Sequence, residues 1–316
     1  MSHSSKVAQM EYRTVGSSEL VASVVGLGCN NFGGRLDLAQ TREVVEAALD
    51  AGITFFDTAD VYGNRGGSER FLGEILEGRR DRVVIATKFG WDLGAEGQEL
   101  RGSRDYVQEA MEASLERLRT DHVDLYYYHR PDGVTPFEET LSAMHELVAE
   151  GKTRAIGCSN LTAEQLREVS EVTSRLGLTG IVALQNEYSL LRCEAEDDVL
   201  PLCRELGIGF VPYFPLASGL LTGKYRRGRP APPGSRLEGR TERFDDATFD
   251  RIEALERFAE ERGHTLLELA VGALASTPGV ASVIAGATTA EQVRANAAAG
   301  SWQLSEDDLA ALAALG

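Results

Sequence analysis

Three apolar runs in the first half of the chain end in side chains able to hold or move a proton. Ile53-Thr54-Phe55-Phe56 closes on Asp57, with Tyr62 five residues further on. Val83-Val84-Ile85-Ala86-Thr87 closes on Lys88, and Val123-Asp124-Leu125-Tyr126-Tyr127-Tyr128 closes on His129. If these runs are adjacent parallel strands, about 4.8 Å apart, their C-terminal ends bring Asp57, Tyr62, Lys88 and His129 to one rim. The chemistry of such a set is proton delivery to an oxyanion developing on a carbonyl. A tyrosine, with a pKa of about 10, needs a nearby cation to work near neutrality. Lys88 supplies that cation, Asp57 holds it by a charge-assisted hydrogen bond, and His129 orients and polarises the carbonyl oxygen. Singly, each residue has a plainer reading: a turn or cap aspartate, a half-buried aromatic, a surface lysine, a satisfied polar histidine. Their joint position at three strand ends favours chemistry.

The elements that must carry these groups alternate along the chain. Tyr12–Val15 and Leu20–Val24 flank Gly16-Ser17-Ser18 and read as a hairpin. Strands follow at 25–28, 53–57, 83–87, 123–128, 153–157, 181–184, 208–213 and 280–284. Each is followed by a helical pattern, closed by Gly52 after the first helix and by Gly151 after the fourth. Thr135-Pro136-Phe137-Glu138 and Thr162-x-x-Gln165 read as capping boxes, with Pro136 at a first helical position. The Arg-, Gly- and Pro-rich stretch 226–245 breaks the alternation after strand seven and reads as a surface loop or lid. Eight βα units in one chain of 316 residues favour a closed (β/α)8 TIM barrel over an open doubly wound sheet. No linker divides it, so one domain spanning 1–316 is expected. Active sites of such barrels sit at the C-terminal strand ends.

Composition narrows the function. Lys plus Arg number 32 against 49 Asp plus Glu, a formal charge of −17, which repels phosphate backbones and disfavours nucleic acid as a partner. No apolar run approaches the roughly 20 residues of a membrane span, and Met1-Ser2-His3-Ser4-Ser5-Lys6 lacks the apolar core of a secretory signal. Cys29, Cys158, Cys193 and Cys203 form no Cys-x-x-Cys pair and read as reduced thiols of a cytoplasmic protein. Cys29 follows the first strand, but no base lies beside it in sequence and no catalysis is assigned to it. A barrel metallohydrolase needs clustered ligands, yet His3, His122, His129, His145 and His264 make no His-x-His pair, so no metal is expected. Gly26-Leu27-Gly28 has Asn31 where a third glycine of a dinucleotide fingerprint would fall.

Asp57-x4-Tyr62, Thr87-Lys88, Tyr128-His129-Arg130-Pro131-Asp132, Gly157-Cys158-Ser159-Asn160 and Gln185-Asn186-Glu187-Tyr188 together resemble the aldo-keto reductase superfamily. The resemblance runs from the hairpin to the last barrel helix, with the motifs in order. It implies a (β/α)8 barrel that binds NAD(P)H at its C-terminal rim and reversibly reduces aldehydes or ketones to alcohols. Tyr62 is then the general acid, tuned by Lys88 and Asp57, with His129 positioning the carbonyl. Ser159, Asn160 and Gln185 hold the carboxamide, and Tyr213 stacks on the nicotinamide. The loop with Leu216, Gly219, Leu220 and Lys224 covers the pyrophosphate, and Gly286, Thr288, Gln292 and Asn296 form the adenosine end. Relatives often place basic residues at the 2′-phosphate where this chain has Gly286 and Gln292; Thr288, Thr289, Lys224 or Arg294 are its available substitutes. NADP(H) remains the default over NAD(H). Phe32, Trp91 and Phe214 are loop aromatics expected to wall a pocket for small carbonyl substrates. The competing expectation is a redox-sensing regulatory subunit with slow turnover, since some family members resemble channel β-subunits.

Overall fold

A computed structural model describes residues 10–91, 100–239 and 245–315. Its strands are β1 (Tyr12–Thr14), β2 (Val21–Ser23), β3 (Val25–Gly28), β4 (Phe55–Asp57), β5 (Val84–Phe89) and β6 (Val123–Tyr128), then β7 (Thr153–Ser159), β8 (Ala183–Gln185), β9 (Gly209–Phe210) and β10 (Val283–Gly286). The helices are α1 (Leu38–Asp50), α2 (Tyr62–Ile75), α3 (Arg104–Leu118), α4 (Phe137–Ala149) and α5 (Ala163–Leu176), then α6 (Val199–Leu206), α7 (Asp246–Glu260), α8 (Leu266–Ser276), α9 (Ala290–Ala299) and α10 (Glu306–Ala313).

β3 to β10 form one parallel sheet in the order β10-β3-β4-β5-β6-β7-β8-β9. The sheet curls until its edges meet. Phe210 N–H donates to Gly279 O at 2.9 Å, and Ala281 N–H donates to Phe210 O at 2.8 Å. Isolated parallel bridges join Phe210 to Val280 and Tyr213 to Ile284. This seam explains why the expected strand 208–213 is regular only over Gly209–Phe210: Pro212 has no N–H to give a ladder, although its carbonyl still accepts from Ile284 N–H at 3.0 Å. The eighth strand lies later than expected for the same reason, since 280 and 281 serve the seam. The architecture is the (β/α)8 barrel.

Strand alternation sorts the core into two. Phe55, Ala86, Leu125, Tyr127, Ala155 and Ala183 fill the barrel interior, while Phe56, Ile85, Tyr126, Tyr128 and Ile156 pack outward against the helices. β1 and β2 pair antiparallel and deliver Val15, Leu20 and Ala22 into the interior cluster, closing the N-terminal end. The turn must lie tight against the barrel floor. Gly16 sits at φ +56°, and a Cβ there would fall 2.1 Å from Val182 O. Chemistry is left to the opposite rim.

Some local expectations need correction. Thr162 makes its capping box with Gln165, but Thr135 does not cap: its hydroxyl donates to Asp132 at 2.7 Å, and Pro136 stands one position before the first helical residue. The helix expected over 195–206 begins at Val199, after a short 3-10 turn at Glu194–Glu196. The stretch after β9 does act as a cover over residues 226–239. Its base is tied to α7 by Arg226 on Glu256 and by Arg227 on Asp246, Asp250 and Glu253. Further on, Arg35 donates to Gly234 O at 2.6 Å, joining the loop after β3 to this cover. The remainder of the expected lid, 240–244, lies outside the described residues.

Candidate active site

β4, β5 and β6 end side by side, with Asp57 in register with Ala86 and Lys88 with Tyr127. Lys88 is fully buried, which is tolerable for an ammonium only if it is paired and hydrogen-bonded. Its Nζ donates to Asp57 Oδ2 at 2.7 Å and to Thr58 O at 2.8 Å. The same Nζ stands 5.1 Å from the centre of the Tyr62 ring. Tyr62 follows β4 at the start of α2, where Gly63, Asn64, Arg65 and Gly66 take left-handed angles before the helix proper. Gly63 is needed there, because a Cβ would lie 2.3 Å from Phe32 O.

Electrostatics separates the roles of these groups. Burial pushes the Tyr62 pKa up, Lys88 pulls against it, and the net direction is upward. The cation therefore acts in the expected sense but is outweighed by desolvation. For Lys88 itself, burial works downward, while Asp57 and Tyr62 work upward and prevail, so it keeps its charge. His129 is driven well below its ordinary value by burial, then by Lys88 and Arg130, and is neutral near pH 7. Its buried Nδ1 has no hydrogen-bond partner among the described residues. Packing holds the ring instead: Tyr62 meets it edge-on at 5.9 Å and Trp91 covers it at 4.7 Å between centroids.

A cavity of about 820 Å³ opens over this set, lined by Asp57, Tyr62 and His129 among others. One wall is a web of polar side chains. Gln185 Nε2 donates to Asp57 Oδ1 at 2.8 Å, and Ser159 Oγ donates to Gln185 O at 2.7 Å. Asn160 Nδ2 donates to His129 O and to Ser159 Oγ, both at 3.0 Å, while its Oδ1 accepts from the Tyr213 hydroxyl at 2.7 Å. Asn160, Phe214, Ala217 and Ser218 all have positive φ. Such strain persists where surrounding structure over-determines it, often at ligand clamps; for a bulky Phe214 at +56° it is a true cost.

Most residues singled out in the sequence meet in this cavity. Ser159, Asn160, Gln185, Tyr213, Leu216, Gly219, Lys224, Gly286, Thr288, Gln292, Asn296, Trp91 and Phe214 all line it. Two do not. Phe32 is fully buried in the outer core, and Leu220 is 3% exposed with its side chain in the same core. Both lie in loops, and apolar loop residues turn inward as readily as toward a ligand. Arg294 is exposed and outside the lining, so it is no substitute cation. Thr289 caps α9, accepting from Gln292 N–H at 3.2 Å. Sequence reasoning missed Asn30, Asn31, Arg35, Ser235 and Arg236, all lining residues. Arg35 and Arg236 come from loops with no periodicity, so no spacing signal marked them. Cys29 also lines the cavity, but burial and then Asp57 hold its thiol well above the usual range, which keeps it inert.

The deciding comparison is with the family model of the aldo/keto reductase family, which matches residues 24–316. The chain belongs to the aldo/keto reductase family. It is 39% identical over 298 residues to a probable voltage-gated potassium channel subunit beta of Oryza sativa subsp. japonica, covering 91% of this chain and 90% of the relative. Identity is 34% over 304 residues to L-glyceraldehyde 3-phosphate reductase of Escherichia coli (strain K12), covering 92% and 88%. A probable aldo-keto reductase 1 of Glycine max is 35% identical over 312 residues, covering 96% and 88%. The protein is thus an oxidoreductase of a nicotinamide-dependent family acting on small carbonyl compounds. No helix among the described residues is long and apolar enough to cross a membrane.

Proposed function

We propose that this aldo-keto reductase reduces aldehydes or ketones to alcohols reversibly, as one barrel domain, with Tyr62 as the proton donor. The observation that carries this reading is the fully buried Lys88, fixed by Asp57 and Thr58 and set 5.1 Å from the Tyr62 ring at the cavity. Tyr62 keeps its proton at neutral pH and gives it up only as a substrate oxygen gains charge. Lys88 is preorganised to stabilise the phenolate left behind, and Asp57 prevents the ammonium from swinging away. A neutral His129, held by Trp91, offers a hydrogen bond to the carbonyl oxygen without adding a competing acid.

The residues fit a nicotinamide nucleotide. Asn160, Ser159 and Gln185 present an amide-lined wall beside Asp57, and Tyr213 is tethered by its hydroxyl so that its ring borders the same space. The bound cofactor would supply hydride to the carbonyl carbon. Leu216, Gly219 and Lys224 would lie along the pyrophosphate, and Gly286, Thr288, Gln292 and Asn296 around the adenosine. In a chain of net charge −17, three cations line this cavity: Arg35, Lys224 and Arg236. They favour NADP(H) over NAD(H), since a 2′-phosphate adds charge for them to meet. Trp91 and Phe214 then wall the substrate side. All four cysteines are free, which suits a cytoplasmic setting.

A second reading, a regulatory nucleotide-binding subunit with slow turnover, draws support from the 39% identity to a potassium channel subunit beta. One experiment separates the two. The purified protein is titrated with NADPH and with NADH by nucleotide fluorescence, then given 4-nitrobenzaldehyde. Tighter NADPH binding followed by steady turnover is expected. Binding with only a single slow oxidation would favour the regulatory reading, and binding of neither nucleotide would refute both.

A further inference from the structure

On the far side of the strands that carry the rim lies a second cluster of ionisable groups. β5 turns Lys88 inward to Asp57 and the preceding Thr87 outward, where its hydroxyl donates to Glu69 Oε1 at 2.5 Å. Glu69, on α2, is fully buried, and its Oε2 accepts from Arg117 Nε of α3 at 2.6 Å. Arg117 spends a second nitrogen on Ser114 Oγ at 3.1 Å. Into this cluster projects Asp60, two residues before Tyr62. Among the described residues its buried Oδ1 has no hydrogen-bond partner, and the buried Tyr126 hydroxyl of β6, facing the same groups, has none either. The groups around Asp60 are Glu69 on α2, Arg117 and Tyr106 on α3, Tyr126 on β6 and Lys88 on β5.

One guanidinium faces two carboxylates, Glu69 fully buried and Asp60 half-buried with its Oδ1 inside, so the two acids compete for it. Glu69 is the better placed, with two hydrogen bonds of its own. Arg117 and the Val61 N–H favour the Asp60 anion, but burial and then Glu69 outweigh them and favour its protonated form. Its backbone is stitched to the active site: Asp60 N–H donates to Lys88 O at 3.1 Å, and Lys88 Nζ reaches back to Thr58 O. Any displacement of Asp60 away from Glu69 moves the segment that connects Lys88 to Tyr62.

We propose that Asp60 is a positioning residue that makes turnover pH-sensitive: protonated, it lets the Tyr62 segment settle against β5; ionised, it is repelled by Glu69 and loosens that segment. Burial, then Glu69, raises its pKa to about 7, which puts the transition in the neutral range. Burial raises the Tyr62 pKa from its ordinary value, which moves its own limb to the alkaline side. This inference rests on the reading of Tyr62 as the acid.

The test compares pH profiles of kcat and KM for wild type and Asp60→Asn, using 4-nitrobenzaldehyde and saturating NADPH. Wild-type kcat is expected to fall several-fold as pH rises through about 7, with KM for NADPH steady. Asp60→Asn should match the wild type on the acid side and lose that limb. Glu69→Gln, which frees Arg117 for Asp60, should shift the limb to lower pH. A thermal melt gives an independent readout. A carboxyl with a raised folded pKa contributes stability that is complete below about pH 4 and lost as pH rises through about 7. The Tm of Asp60→Asn relative to wild type should therefore climb across that window. Superimposable kcat profiles, a uniform loss at every pH, or a flat Tm difference would overturn the proposal. Tyr62→Phe, run in parallel, isolates the underlying reading: full turnover there would remove Tyr62 as acid, whatever Asp60 does. Without wild-type turnover, the Tm difference alone decides whether Asp60 titrates.

Discussion

The two ends of the cavity are built on different principles. At the catalytic end, buried side chains lock one another: Lys88 on Asp57, Asp57 on Gln185, Gln185 on Ser159, Ser159 on Asn160 and Asn160 on Tyr213. At the outer end the groups are mostly exposed and tied to their own segments. Gln292 Oε1 is held by Thr288 N–H at 2.8 Å, one turn away, and Arg35 by the cover loop. A buried polar web is costly to leave half satisfied, so it comes preorganised and admits little variation. An exposed rim is solvated in either arrangement and is free to change its cations. On the proposed reading, chemistry belongs to the locked end and nucleotide preference to the exposed one.

The contrast breaks most severely at Tyr62. Tyr62→Phe removes the proposed proton donor but neither its ring nor the polar wall, so kcat should fall by about 10²–10⁴-fold while nucleotide affinity measured by fluorescence is unchanged. Near-normal turnover would reassign the acid. The upward direction of the Tyr62 pKa also fixes a sign: if the phenol is the reactive form, activity is lost as pH rises, on the alkaline side of the ordinary tyrosine value. Lys88→Met should damage kcat comparably and also weaken the fold. It leaves Asp57, 3% exposed, without its buried partner, a loss of about 3–5 kcal/mol for a broken buried pair. A variant with unaltered Tm and lowered kcat would show that the lysine serves chemistry alone.

This division also explains what the sequence makes legible. Strand ends are visible because apolar runs stop at polar groups, so Asp57, Lys88 and His129 could be placed on one rim from pattern alone. Tyr213 and Asn160 lie in short motifs next to strands, where the sheet fixes their direction. Loops carry no such periodicity. Phe32 is expected at the cavity as a loop aromatic and Leu220 from the resemblance of its loop, yet packing takes both into the core. Arg35 and Arg236 reach the cavity from loops whose path only tertiary contacts decide. Thr135 failed as a cap because Asp132 competed for its hydroxyl, a local alternative that pattern reading does not rank. Asp60, within the most recognisable stretch of the chain, gains its charged neighbours Glu69 and Arg117 only when α2 and α3 pack behind the strands.

The smallest expected effect belongs to the outer end and sharpens the comparison most. Lys224 lines the cavity near Gly219 and makes no ion pair among the described residues, its Nζ lying 5.2 Å from the Tyr225 ring centre. Lys224→Ala removes one partly solvated cation, worth about 0.2–1 kcal/mol by the standard of exposed pairs. That corresponds to a rise of roughly 1.4-fold to fivefold in the NADPH dissociation constant. NADH, lacking the 2′-phosphate, should weaken less, and added salt should shrink the wild-type preference because exposed charges are screened. Equal weakening of both nucleotides would place Lys224 on the pyrophosphate instead, leaving Arg35 and Arg236 to discriminate. In either case kcat with saturating nucleotide should stay near the wild-type value, because the locked web at the catalytic end does not depend on what the rim binds.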